Sequence, residues 1–181
     1  KSAVSTAGVV LRGTPIVVLM VLVHFGLPLP QLGTLPVLDI QLEVFLAATL
    51  ALGLRSAAYQ GQVFRGAIQS LSEGQMEAAR SVGLTRRQAI RHVVFPQAVR
   101  RSIPGFQNEF TIVLKDTSVA IAIGLAELLT RAENLYLQPG QGTAVMEVIL
   151  AISAVYFVLT FTTNRALDYV ERRYAVPGGT K

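Results

Sequence analysis

VILAISAVYFVLTFTTN, residues 148–164, is a run of 17 residues without a formal charge, closed by Arg165. With the residues just before it, this run approaches the roughly 20 apolar residues that one helical crossing of a bilayer needs. Working outward, three further stretches read the same way less cleanly. Residues 13–38 carry no charge, and the solidly apolar Ile16–Phe25 lies within them, opened by Pro15 and stopped by Gly26-Leu27-Pro28-Leu29-Pro30. Proline is tolerated in a helix only in the first turn, so this predicts a short span over about 12–27. A second span is expected over about 42–62, interrupted by Arg55, and a third over about 104–128, with Lys115 and Asp116 in its middle. The run that opens this paragraph makes the fourth, over about 146–164. The reading is an all-α integral membrane domain with four visible spans.

Composition agrees. The chain has 181 residues, 51% hydrophobic and only 15% charged, with a mean hydropathy of +0.49. Soluble domains carry about 25% charged residues, so an ordinary soluble enzyme is excluded. Disorder is excluded by the same apolarity. With no cysteine there is no disulfide framework, no cysteine-based zinc site and no thiol chemistry. The chain starts at Lys1, and residues 1–12 fit neither a signal peptide nor a tag, so a fragment of something longer is expected at this end.

The 16 basic residues test the span map. Lys1 and Arg12 precede the first span, and Arg65, Arg80, Arg86, Arg87, Arg91, Arg100 and Arg101 lie between the second and third. Arg165, Arg172, Arg173 and Lys181 follow the fourth, so 13 of 16 fall on one side. The positive-inside rule makes that side cytoplasmic, with both chain ends and the long middle loop inside. A nucleic-acid binder would gather its charge on one accessible face. Here the charge alternates with apolar spans.

The middle loop, about 72–96, has its own grammar. Ser72 with Gln75 has capping-box spacing before a helix through Ser81, and Gly83 is placed to end that helix in the left-handed conformation. Thr85 with Gln88 repeats the box before a second helix, whose stripe is Ile90, Val93 and Val94, and Pro96 marks an end or a kink. Two short capped helices make a rigid knob. Capping alone is explained as well by a plain structured loop.

The residues go further. Glu77-Ala78-Ala79, then Gly83, then Val93 and Phe95-Pro96 resemble the signature loop of ABC-transporter permeases, with Phe95 and Val93 as mild departures. Arg12-Gly13-Thr14-Pro15, residues 64–70 (FRGAIQS), Asn108-Glu109-Phe110, residues 114–118 (LKDTS) and Ala126-Glu127-Leu128 are similar to the polar amino-acid branch of that family. The resemblance covers about residues 11–174. It implies a type I ABC importer transmembrane domain of about five spans, the first missing here, in a prokaryotic inner membrane. It implies two ATP-binding cassette subunits, which bind ATP and Mg, a second permease subunit, identical or sister, and a substrate-binding protein that delivers an amino acid. It also implies a coupling helix within the loop, seated in a groove of the ATPase, with Glu77, Ala78, Ala79, Arg80, Gly83 and Leu84 at the contact. The chain is not itself the ATPase. It has no phosphate-binding Gly-x-x-x-x-Gly-Lys loop, and its lysines are Lys1, Lys115 and Lys181 alone. His24 and His92 read as structural or surface residues.

A charge in a span costs at least about 2.5–3.5 kcal/mol, so intramembrane polar residues mark function or demand a partner. Asn108, Glu109, Asp116, Thr117 and Ser118 are the candidates for the substrate path, and no metal site is expected. Glu109 and Asp116 are two turns apart and share a face, whereas Lys115 and Asp116 need separate partners. Pro104-Gly105 would help a bend. Arg55 is expected to pair with Glu43 or with an acid on the third span. Two other readings stand beside the amino-acid importer: an importer of another small polar solute, and a non-transport membrane anchor of an ABC ATPase.

Overall fold

The computed structural model describes residues 3–36, 40–71, 73–137 and 145–174. The capping position Ser72 and the turn expected at residues 139–142 lie outside them. The opening run belongs to α8, Val145–Tyr174, whose 30 residues run about 45 Å at 1.5 Å per residue. That is half as long again as the hydrocarbon core of a bilayer, about 30 Å. The helix therefore continues ten residues past the expected end at 164. Ile152 is buried, while Met146, Leu150, Phe157 and Phe161 are exposed. An apolar face of that extent suits lipid and not water.

The second long helix is α3, Leu42–Gln69, which runs seven residues past the expected end at Gln62. Val44, Ala47, Ala48 and Ala51 form its buried stripe at helical spacing. They pack with Leu19, Met20 and Val23, and with Ala120 and Ile123, to form the core. Small residues there let helices approach closely without a hydrophobic driving force. α3 and residues Val145–Tyr169 of α8 are each long and apolar enough to cross a membrane.

The other two expected spans differ from the sequence reading. The first is a bent pair, α1 (Ala3–Gly13) and α2 (Ile16–Gly26), whose axes meet at 109°. Thr14 and Pro15 make the corner: Pro15 is extended, with ψ 140°, and α2 starts after it. Proline disfavours helical geometry in the residue before it, which is why one helix from Arg12 does not form. α2 has 11 residues, about 16 Å, too short for a full crossing. A two-residue antiparallel ladder, β1 (Thr34–Leu35) with β2 (Ile40–Gln41), joins α2 to α3.

The third expected span does not begin at Pro104. Helix runs from α4 (Glu73–Ser81) through a turn into α5 (Arg86–Ala89), then through a π turn, Ile90–Val94, into α6, Phe95–Asp116. So the second helix of the knob is continuous with α6. Proline crowds the carbonyl four residues before it; the wider π turn, where the Phe95 N–H bonds the Ile90 carbonyl, admits Pro96 without ending the helix. Pro104 lies inside α6, which continues past it. Gly105 marks a close crossing, because a β-carbon there would overlap the Val63 side chain of α3. After Asp116 the chain tightens into a 3₁₀ segment, Thr117–Ile123, closed by left-handed Gly124. α7, Leu128–Tyr136, is capped by Glu127, whose carboxylate accepts the N–H groups of Leu129 and Thr130 at 2.7 and 2.8 Å.

Candidate functional site

The knob is built as its sequence directs. Gly83 has φ +87°, its N–H bonds the Arg80 carbonyl, and the Leu84 N–H bonds the Ala79 carbonyl, the pairing of a Schellman C-cap. Thr85 and Gln88 form the expected capping box. The Gln97 amide donates to the Gln75 side chain at 3.2 Å, and the Arg101 guanidinium donates to the Ser70 carbonyl at 2.7 Å. These bonds tie α4 to α6 and the end of α3 to α6, so a push on α4 reaches α6 and, through it, α3. Glu77, Ala78, Arg80 and Gly83 are exposed and Leu84 is half-buried. Ala79 is buried, so its methyl group faces the interior of the knob and not its surface. Val82 is 76% exposed and lies one turn after Ala78 on the same face. Val82 was expected only as the last residue of a coupling helix over Gln75–Val82, not as a contact; the signal for a contact is an aliphatic side chain at a tip between a capping glycine and a polar helix.

The expected path residues do not form one cluster. Asp116 pairs with Arg55 at 2.5 Å, the acid on the third span being the one chosen. Arg55 also lies over the Tyr59 ring, 5.2 Å from its centroid. Glu43 instead accepts the Leu32 N–H. Glu109 is buried towards the same helix, beside Ser56 and Arg55, so it shares a face with Asp116 as its spacing requires. Lys115 is exposed. Thr117 and Ser118 donate to the carbonyls of Leu114 and Lys115, within their own turn. Ser118 also lines a cavity of about 540 Å³ with Tyr136, Ser153 and Tyr156 between α7 and α8.

Asn108 faces yet another place. It lines a cavity of about 360 Å³ with Gln107 and Thr111 of α6 and Asn164 and Asp168 of α8. The Gln107 amide donates to Asp168 Oδ1 at 2.5 Å, and the Thr111 hydroxyl lies 2.6 Å from Asn164 Oδ1. Gln107 Oε1 is buried without a hydrogen-bond donor among the described residues. Gln107 also borders an apolar cavity of about 310 Å³ lined by Ile103, Phe106, Phe110 and Leu167. Asn164 was legible only as the end of an uncharged run, and Asp168 not at all. The available signal was two polar pairs spaced by four, Gln107 with Thr111 and Asn164 with Asp168, each forming a stripe on one helix face. Among the described residues, no group of His, Asp and Glu is placed to hold a metal ion.

Residues 2–176 match the family described as binding-protein-dependent transport system inner membrane component. The chain belongs to this family. A probable amino-acid permease of Bacillus subtilis is 35% identical over 92% of the chain and 70% of its own length. The glutamine transport system permease of Escherichia coli is 35% identical, over 92% of the chain and 72% of its own length. The octopine transport system permease of Rhizobium meliloti is 35% identical, over 96% and 73%. A solved structure, described as an amino acid ABC transporter with histidines, superposes with a TM-score of 0.76 at 34% identity, covering 93% of the chain and 74% of its own. The chain is thus an ABC transporter permease subunit, of the branch these polar amino-acid permeases form. It is a multi-pass inner-membrane protein and part of a multi-subunit transporter. As a permease it carries transport, and ATP hydrolysis belongs to its partner.

Proposed function

We propose that this permease moves an amino acid along the face of α6 that meets α8, driven through α4 by a pair of ATP-binding cassette subunits. The observation that carries the reading is the polar cavity of Gln107, Asn108, Thr111, Asn164 and Asp168 between α6 and α8. Gln107 Oε1 is buried there without a donor among the described residues, a cost that a bound ammonium would relieve. Asp168 offers a carboxylate and Gln107 Oε1 an acceptor to an α-ammonium; the Asn108 and Asn164 amides offer donors to an α-carboxylate. The adjoining apolar cavity takes an aliphatic stem. The relatives named for amino-acid transport favour this class over another small polar solute, and a pure anchor gains nothing from such a cavity.

The four crossings are α2 with the non-helical residues 27–33 that follow it, α3, α6 with its 3₁₀ extension, and α8. The knob and both ends of this chain face the cytoplasm. ATP and Mg are held by the two ATPase subunits, a second permease subunit completes the pore, and a binding protein delivers substrate outside. Asp116 and Glu109 then act behind the path, on the face towards α3, and Thr117 and Ser118 act at its outer end. Glu77 contacts the ATPase groove, with Ala78, Arg80 and Val82 beside it; Ala79, Gly83 and Leu84 shape the knob.

The test is amino-acid uptake into proteoliposomes holding the full complex, with ATPase rate read in parallel. Asp168→Asn should lower uptake at least about tenfold, the loss of ~1.4 kcal/mol of charge-assisted bonding, with ATPase activity retained. Glu77→Lys should lower both together. Uptake unchanged in Asp168→Asn would remove the cavity from the path.

A further inference from the structure

Between α1 and the final turns of α3 lies a cavity of about 490 Å³ that the transport reading does not use. Arg12, Arg65, Gln62 and Gln69 supply its polar walls, and Gly8 and Gly61 keep it open. Arg12 is half-buried and gives one donor to the Ala58 carbonyl at 3.0 Å. Arg65 is exposed, and neither arginine forms a salt bridge among the described residues. The cleft therefore holds two guanidinium charges with no carboxylate against them. Its position is specific: α1 turns 109° from α2, so when α2 follows the membrane normal, α1 lies close to the membrane plane. Val9 and Val10 of α1 are 59% and 60% exposed, an apolar face at that level, with Arg12 at the end of the same helix. A helix in the interface plane with apolar side chains beside a basic pocket suits an amphiphilic anion.

We propose that this cleft binds the phosphate-bearing headgroup of an anionic phospholipid from the cytoplasmic leaflet. The two guanidinium groups take the phosphate oxygens, which their planar donor geometry matches. The Gln62 and Gln69 amides meet the headgroup's hydroxyls, and the acyl chains run along Val9 and Val10. The lipid braces the bent α1 against α3. The leaflet rests on the orientation proposed above; the binding itself does not.

The test is native mass spectrometry of the full transporter complex, titrated with phosphatidylglycerol or with phosphatidylcholine. Phosphatidylglycerol should saturate at one tightly held lipid per permease subunit, and phosphatidylcholine should not compete. Arg65→Gln should weaken phosphatidylglycerol about fivefold, equivalent to ~1 kcal/mol for one arginine at a lipid surface. Arg65→Lys should retain most of the binding, which separates lost charge from misfolding. Arg91→Gln, exposed on the π turn and outside the cleft, should change nothing. Millimolar inorganic phosphate that displaces the lipid would make this a free-phosphate site and overturn the proposal. Equal retention of the two lipids, or indifference to Arg65→Gln, would also overturn it. A failure of the leaflet assignment would appear instead as altered sidedness of the knob, with lipid binding intact.

Discussion

Arg55 and Asp116 lie 61 positions apart in sequence and meet in the membrane region, with Glu109 buried nearby. A buried ion pair contributes little relative to a well-packed apolar pair, but removing one partner leaves an uncompensated charge. The pair is partly buried, so Arg55→Ala should destabilise the purified permease by about 1.5–3 kcal/mol, the range for a hydrogen bond to a charged group, read as thermal unfolding in detergent. The double variant Arg55→Ala with Asp116→Asn should regain most of that loss. If the two losses simply add, the pair is not coupled. Sequence reading reached half of this site: a charge in a span demands a partner, so an acid on the third span was among the candidates for Arg55. It could not choose between Glu43 and Asp116, since that choice is made by helix packing. Asn108 and Glu109 were expected in one path; the signal that they divide is the helical period, which turns adjacent residues away from each other. That Asn108 meets Asn164 and Asp168 was not legible, because nothing local says which helix α6 faces.

Among the elements, the knob was the most legible, because its caps are local chemistry. Gly83 at φ +87° holds the corner between α4 and α5. A side chain in that conformation costs about 1–2 kcal/mol, so Gly83→Ala should lower substrate-stimulated ATPase while leaving the basal rate of the complex near that of wild type. Equal stimulation in both proteins would mean that the corner tolerates the strain. The path of α6 was less legible. Pro96 read as an end or a kink and Pro104 as the start of the third span, yet the helix continues through both, the first beside a π turn. Gly105 is explained by its neighbour Val63 on α3. Gly105→Ala should separate the two helices and lower stability by about 1–3 kcal/mol, as overpacking does. Combining it with Val63→Ala should restore stability, since the overlap is with that side chain.

For the whole molecule, orientation is the property most directly open to experiment, since the chain has no cysteine to remove. Gln88→Cys on the knob and Asn134→Cys on α7 are both at exposed positions. In sealed vesicles an impermeant thiol reagent should label Asn134→Cys from outside and Gln88→Cys only after inversion or permeabilisation. Labelling of both from one side would refute the four-crossing topology. The amino-acid sequence by itself determined the class of solvent, the helical content, the two long membrane helices and the knob. These follow from apolar run length, charge placement and capping, all of which act within a few residues. Tertiary structure decided the close crossing at Gly105, the partner of Arg55 and the cavity shared by α6 and α8. Each depends on which helices come into contact, and that is set by close packing between segments far apart in the chain.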